Sequence, residues 1–190
     1  MRNLLINITR KNKTIAVGWF AVAVLLTSGC TGVATGITPV DGFEAERYLG
    51  RWHEIARLDH SFERGLSAVT ADYSRREDGG IRVINRGIDA QGELSEAEGR
   101  AYFVGEESVA HLKVSFFGPF FGSYVVFELD QDYQYAFVTS YSRDYLWLLA
   151  RTPTVNPDLI EHFKQRAVQL GFAVEELIFV AQPLAGQSAR

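Results

Sequence analysis

Short segments that are apolar, or that alternate between apolar and polar residues, repeat from Leu49 to Arg151, and this repetition is the strongest constraint on the fold. Each segment is about seven to ten residues long, within the usual range for a β-strand. Breaks rich in Gly, Asp, Ser and Pro separate them, as turns require. The predicted strands are 51–59, 67–76, 80–88, 97–104, 109–116, 123–129, 134–141 and 145–151. Such a pattern predicts an antiparallel meander that forms a sandwich or a barrel.

One helix is predicted after the last of these strands. Asn156 is a favoured N-cap, Pro157 occupies the first helical position, and Gly171 stands just past the end. Apolar residues recur between them at helical spacing, so the helix is expected to pack on a surface. A short final strand follows at 177–180. This order fits an all-β, eight-stranded, up-and-down barrel with the helix packed outside.

Residues 1–29 are predicted to be a secretory signal. Four basic residues precede an uncharged apolar run at 15–26, which is shorter than the roughly 20 residues of a spanning helix. The run ends in Leu26-Thr27-Ser28-Gly29-Cys30, which resembles the bacterial lipobox, where cleavage leaves the cysteine as a lipidated first residue. Cys30 is the only cysteine of the chain, so it is expected to be the lipid anchor rather than a disulfide partner or a catalytic nucleophile.

The remaining chain is acidic and long enough for one domain. The whole chain has a net charge of −4, and the part from Cys30 onward has 15 basic and 23 acidic residues, a net charge of −8. This balance argues against nucleic acid as a partner and against direct adsorption to anionic lipid. We divide the mature part into a lipidated tether (30–42), a barrel domain (43–183) and a polar tail (184–190).

Three motifs then indicate a family. The segments Tyr48–Arg57 and Leu148–Pro153, and more loosely Asp130–Phe137, resemble the Gly-x-Trp opening, the late arginine motif and the middle motif of lipocalins. The likeness covers residues 40–183 and extends to the bacterial branch, the outer-membrane lipoprotein lipocalins. His53 departs from the usual Tyr, and the middle motif lacks its common Thr-Asp-Tyr order.

The lipocalin resemblance implies a hydrophobic calyx that binds fatty acids or lysophospholipids, without a cofactor or a metal. It also implies attachment to the outer membrane through Cys30, facing the periplasm, because Thr31 and not Asp follows the cysteine. A homodimer is a further expectation. Two alternatives remain open, namely a lipid-modifying enzyme and a structural or interaction lipoprotein with a filled barrel.

In an up-and-down barrel the three motifs meet at one end, so Arg151 is expected over the Trp52 ring, where an arginine and an aromatic face attract. The residues assigned to this structural base are Gly50, Trp52, Glu54 and Arg151. Period-two alternation from Trp52 and from Arg151 places two rows of side chains in the lumen. Those rows contain Glu54, Ala56, Leu58, Tyr145, Trp147 and Leu149. An inward Glu54 should need a partner or a raised pKa, and Trp147 is either a ligand contact or core filler.

The open end is expected at the loops after strands one, three, five and seven. The segment 115–122 holds four Phe residues around a Gly-Pro turn, which are costly to expose, so they line the ligand entry, contact a partner chain or enter lipid. The rim cations His60, Arg64 and Arg143 either meet an anionic head group or are solvated. The complete set of predicted ligand contacts is Trp147, Tyr145, Leu149, Ala56, Leu58, Phe62, Phe116, Phe121, Tyr141 and Arg143.

Catalysis is not expected from the motifs. The sequence has no Gly-x-Ser-x-Gly elbow, no dinucleotide or phosphate-binding glycine loop, and no His-x-x-x-His spacing among its four histidines. The preferred interpretation is therefore a binding protein.

Overall fold

The structure is a computed structural model that describes residues 31–182. The predicted signal, the lipidation site Cys30 and the predicted polar tail lie outside the described residues. In the described part of the chain, no helix is long and apolar enough to cross a membrane.

Eight antiparallel strands form a closed barrel. The strands are β1 (Gly50–Arg57), β2 (Ser67–Arg75), β3 (Ile81–Ile88), β4 (Leu94–Phe103), β5 (His111–Ser115), β6 (Gly122–Leu129), β7 (Tyr135–Thr139) and β8 (Leu146–Ala150). Each strand pairs with the next, and β1 pairs with both β2 and β8, which closes the sheet. A two-residue strand, β9 (Ile178–Phe179), adds to β1 at Ala56 and Arg57. The predicted barrel is confirmed.

Within residues 31–182 the remaining elements are α1 (Ala45–Tyr48), α2 (Pro157–Gln169) and the 3-10 turn Val174–Glu176. The predicted cap of α2 is present, because the Asn156 side chain accepts a hydrogen bond from the Asp158 N–H at 2.9 Å. Gly171 has φ +79°, a conformation that favours glycine just past a helix end. Phe163 and Ala167 of α2 are buried against the outside of the barrel.

The buried apolar side chains form two clusters on opposite sides of the barrel wall. The inner cluster fills the closed half of the barrel and includes Trp52, Tyr73, Val126 and Leu149. The outer cluster lies between the wall and α2 and includes Phe137, Leu148 and Phe163. Strand β8 lies between these two clusters and has apolar side chains on both faces. Residues 146–150 therefore show little alternation between apolar and polar residues.

The described part of the predicted tether, residues 31–42, lies against the barrel. Ala34 and Ile37 are buried in the outer cluster. The Val40 N–H donates to the Val126 carbonyl at 2.9 Å, and the Val40 carbonyl accepts from the Ala110 N–H at 2.9 Å. Two isolated apolar side chains leave no periodicity in a sequence, so the pattern alone gave no sign of this packing.

Truncating the contact between α2 and the barrel tests this architecture. Phe163 is fully buried, with its ring centroid 4.9 Å from that of Phe137. We expect Phe163→Ala to lower the free energy of unfolding by about 3–5 kcal/mol, because it leaves a cavity in the outer cluster. Val168→Ala, on the same helix with 57% of its side chain exposed, should change it by less than about 0.5 kcal/mol. Equal effects in urea titrations would contradict the packing.

Candidate ligand-binding calyx

One end of the barrel is closed by Arg151 and Trp52. The Arg151 Cζ lies 3.9 Å from the centroid of the fully buried Trp52 ring. Its nitrogens donate to the carbonyls of Tyr133, Arg51 and Arg47 at 3.2, 2.9 and 2.7 Å. The structure therefore joins the three motif segments and α1 at one point.

Gly50 is required at this base. It has φ +91°, and a Cβ built there would lie 3.5 Å from the Arg151 Nη1. A larger residue would be strained in this conformation, although its Cβ would only touch the guanidinium at an ordinary contact distance. The structure places Gly50 at the base of the barrel, where the sequence analysis expected it.

A buried tyrosine network lies next to the base. The Tyr124 hydroxyl lies 2.6 Å from the Tyr48 hydroxyl and 3.0 Å from the Tyr73 hydroxyl. Burial raises the pKa of all three phenols, so they stay neutral and act as hydrogen-bond donors and acceptors. Sequence reasoning missed this network, because its members come from α1, β2 and β6 and share no motif.

A β-bulge in β1 reverses the predicted facing of Ala56 and Leu58. Glu54 pairs with Leu149, but Ala56 then pairs with Leu148. Both Ala56 and Leu58 are consequently buried in the outer cluster, so their predicted lumen position was wrong. An extra residue in one strand shifts the alternation beyond it by one place. The strand position opposite Trp147 is taken by Arg57, which the sequence analysis did not select.

Arg57 belongs to a buried charged cluster with Glu54 and Glu63. Its Nη1 donates to the Glu54 Oε1 at 2.6 Å, and its Nη2 donates to the Glu63 carbonyl at 2.8 Å. The Trp147 Nε1 donates to the Glu63 Oε2 at 3.1 Å. The His60 Nε2 also lies 3.1 Å from that oxygen, in ion-pair range but without hydrogen-bond alignment. Glu54 therefore has the partner it was predicted to need, but in this cluster and not at the base.

The two carboxyl groups differ in protonation. Burial raises the pKa of Glu54 well above its usual range, the nearby Glu63 raises it further, and Arg57 opposes both. Burial also raises the pKa of Glu63, but the adjacent His60 and the Trp147 N–H outweigh it and hold that pKa below its usual value. The Glu54 carboxyl group, which pairs with Arg57, therefore holds its proton to higher pH than the Glu63 carboxyl group, whose partners are His60 and the Trp147 N–H.

Aromatic rings line the wall above this cluster. The Trp147 and Tyr145 rings are stacked with centroids 6.0 Å apart, and Tyr141 follows at 5.7 Å from Tyr145. The His60 ring lies 5.1 Å from Trp147 and stacks on Phe62 at 3.9 Å. The structure thus brings four of the predicted ligand contacts together, and Leu149 lies deeper, in the inner cluster.

The lumen is open along the upper part of β4. Ala101 and Gly99 are buried on the inward face, and alternation puts Ala97 and Ser95 on the same face. Ala97 and Ser95 are nevertheless exposed, so that part of the interior is accessible. Asn85 pairs with Ala97 across the sheet, and its buried Oδ1 has no hydrogen-bond partner among the described residues.

The four Phe residues of the loop between β5 and β6 separate into three environments. Phe116 packs on the inner cluster, while the Phe121 ring lies against Tyr102 with centroids 6.3 Å apart. Tyr102 pairs with Lys113, whose Nζ lies 5.3 Å from the centroid of Phe121. Phe121 therefore packs on the outer wall, because it follows the loop on the outward alternation, and its predicted place among the ligand contacts was wrong. Phe117 and Phe120 are exposed.

The predicted rim cations have other partners. Arg143 donates to the carbonyls of Leu170 and Thr35 and so ties the end of α2 to the N-terminal segment. This is a structural contact outside the lumen, contrary to the predicted ligand contact. Arg64 pairs with Asp59 at 2.7 Å in an exposed ion pair. Among residues 31–182, no three His, Cys, Asp or Glu side chains are arranged to hold a metal ion.

A barrel of eight strands that is plugged at one end and open at the other is the architecture of a calyx for one small ligand. Comparison with known proteins agrees: the lipocalin-like domain family matches residues 43–182. The outer membrane lipoprotein Blc of Vibrio cholerae is 55% identical over 160 residues, which cover 83% of this chain and 94% of that protein. Blc of Escherichia coli K12 is 49% identical over 166 residues, covering 86% and 94%.

Solved structures show the same fold at lower identity. Insecticyanin from the tobacco hornworm Manduca sexta superposes with a TM-score of 0.66 at 19% identity, covering 81% of this chain and 88% of that one. The chain belongs to the lipocalin family.

The charged cluster predicts a pH-dependent stability difference for Glu54→Gln. The pKa of Glu54 is raised in the folded state, so the wild type loses stability as pH rises above the unfolded value of about 4.3. The amide of the Glu54→Gln variant has no proton to lose. The free energy of unfolding of the variant, relative to that of the wild type, should therefore increase between pH 5 and pH 8, by at most ~1.4 kcal/mol per pH unit. Thermal unfolding across this range measures the difference.

Glu63→Gln serves as the opposite control. It removes the buried carboxylate that pairs with His60 and accepts from the Trp147 N–H, so we expect a loss of about 3–5 kcal/mol near neutral pH. A parallel response of the two variants to pH would contradict the assignment of the proton to Glu54.

Proposed function

We propose that the protein binds fatty acids or lysophospholipids in its calyx and stores or transports them at the outer membrane. In this proposal lipids on Cys30 anchor the chain on the periplasmic side. The relatives from Vibrio cholerae and Escherichia coli are named outer membrane lipoproteins, which supports the location. The lipobox-like residues that end in Cys30, and Thr31 after it, support the anchor.

The open lumen at Ala97 and Ser95 is the observation that carries the binding proposal. These inward positions are small and exposed, while the base below them is sealed by Arg151 and Trp52. Each methylene of an acyl chain moved from water into such a space contributes about 0.8 kcal/mol before the costs of ordering. A long single chain therefore supplies enough free energy for useful affinity.

Polar groups in the same lumen favour an amphiphile over a plain hydrocarbon. The Asn85 Oδ1 has no partner within the described residues, and the Glu54–Arg57–Glu63 cluster lies beside Trp147. We assign Asn85 to the head-group contacts, with Trp147 and Tyr145 along the chain. Asn85 belongs to no motif and Arg57 is the last residue of the Gly-x-Trp segment, so only their place in the barrel identifies them as lumen residues.

Filling the lumen should abolish binding. We expect Ala97→Trp to weaken the binding of lysophospholipid at least tenfold, because the indole occupies the space of the acyl chain. Displacement of a fluorescent fatty acid measures this binding. Glu96→Trp on the outward face of the same strand should bind as the wild type does. Equal binding by both variants would contradict a ligand at this position.

Lipid recovered from the protein should be intact by mass spectrometry, whereas released products would indicate an enzyme.

The anchor has a separate test. Cells that express the chain with labelled palmitate should yield a labelled protein in the outer-membrane fraction, since the acyl chains sit on Cys30. Cys30→Ser should lose both the label and the membrane fraction while retaining fatty-acid binding. A labelled Cys30→Ser protein would contradict the anchor without affecting the calyx.

A further inference from the structure

Phe117 and Phe120 are the most exposed large apolar side chains in the described part of the chain, at 79% and 70%. They lie in the loop between β5 and β6, at the same end of the barrel as the open mouth, because the strands run alternately up and down. Both rings are exposed to solvent, so packing in the core of the barrel does not explain them. Adjacent exposed aromatic residues indicate a surface that is covered in the working protein.

Two cations flank this loop without acidic partners. Among the described residues, neither Arg100 nor Lys113 is within ion-pair distance of a carboxylate, and both lie over the Phe121 ring, at 5.8 and 5.3 Å. The arginines of β2, of β3 and of the turn between them are all paired; they are Arg75, Arg76, Arg82 and Arg86. We call the surface formed by Phe117, Phe120, Arg100 and Lys113 the aromatic lip.

A recess beside the lip holds an unsatisfied polar group. It has a volume of about 180 Å³ and is lined by Arg76, Arg100, Ser115, Gly118 and Glu98, among others. The Glu98 carboxylate is paired with Arg82. The Ser115 side chain is buried, with 5% of the residue exposed, and its Oγ has no hydrogen-bond partner among the described residues. A guanidinium and a free hydroxyl next to exposed rings match a phosphate head group above an acyl layer.

The chain enters the barrel next to the lip. The Thr31 carbonyl lies 2.9 Å from the His111 Nε2, which lies 3.2 Å from the Ser123 Oγ. Ser123 pairs with Lys113 across the sheet. The residue directly before Thr31 is Cys30, so an anchor there would hold the aromatic lip close to the bilayer.

We propose that the aromatic lip docks on the membrane surface, with Phe117 and Phe120 at the acyl boundary and Arg100 and Lys113 at the phosphates. This inference rests on the proposed anchor and deepens it, because it names the surface of the barrel that contacts the bilayer. The net charge of −8 opposes adsorption of the whole domain, so the rings and the two local cations must provide the attachment.

Site-specific fluorescence on the acylated protein tests the orientation. An acylated Cys30 has no free thiol, so Phe117→Cys gives a single site for the environment-sensitive dye NBD. Asp132→Cys, in the exposed turn between β6 and β7 next to the Arg151 base, is the matched control. In vesicles of phosphatidylethanolamine and phosphatidylglycerol, dye at 117 should shift to the blue and be quenched by spin-labelled lipid, and dye at 132 should not. Equal quenching, or none at 117, would overturn the proposal.

Unacylated Cys30→Ser protein separates the lip from the anchor. In vesicle sedimentation, the double variant Phe117→Ser/Phe120→Ser should reduce partitioning at least tenfold, and Arg100→Gln/Lys113→Gln about threefold. Val104→Ser, an exposed apolar residue after β4, should have no effect. Free phosphate at millimolar concentration should not compete, because the rings need an acyl layer.

A second copy of the chain is the competing occupant. Loss of a dimer in Phe117→Ser/Phe120→Ser by analytical ultracentrifugation, with unchanged vesicle partitioning, would overturn the membrane assignment. If palmitate labelling fails but the lip variants still lose partitioning, the anchor is wrong and the lip stands.

Discussion

The contact between Arg151 and Trp52 is the constraint on which the rest of the barrel depends. One guanidinium lies on the indole face and donates to carbonyls from α1, β1 and the turn before β7. Both ends of the closed sheet, β1 and β8, are thereby fixed at one point. An interior sealed at this end is accessible only from the other, which makes a closed sheet into a cup.

A single inserted residue in β1 decides the chemistry of the cup. Without the bulge, the alternation would direct Ala56 inward and leave the lumen wall apolar. With it, Arg57 enters beside Glu54 and pairs with its carboxyl group, whose pKa burial raises. Isolated charges would not persist in such a site, and their mutual pairing makes the polar interior tolerable. The lumen therefore offers hydrogen bonds as well as apolar surface.

The outside of the barrel is specialised by region. The wall formed by β6, β7, β8 and β1 is covered by α2 and the N-terminal segment, which Arg143 ties together. The wall formed by β2, β3 and β4 carries paired charges and faces solvent. Between them, the loop after β5 leaves two phenyl rings and two cations uncovered. This region lies next to the point where the N-terminal segment meets the barrel, at His111.

The sequence by itself determined the number of strands, the cap and stripe of α2, and the meeting of Trp52 with Arg151. These follow from short-range periodicity and from the end-to-end alternation of a meander, both of which are local rules. Tertiary structure alone decided that Ala56, Leu58 and Phe121 face outward, that Arg143 binds backbone carbonyls, and that three tyrosines meet. A bulge shifts the facing of every later residue in the strand by one place, and hydrogen bonds between distant strands depend on register. Neither can be predicted from the sequence of a single segment.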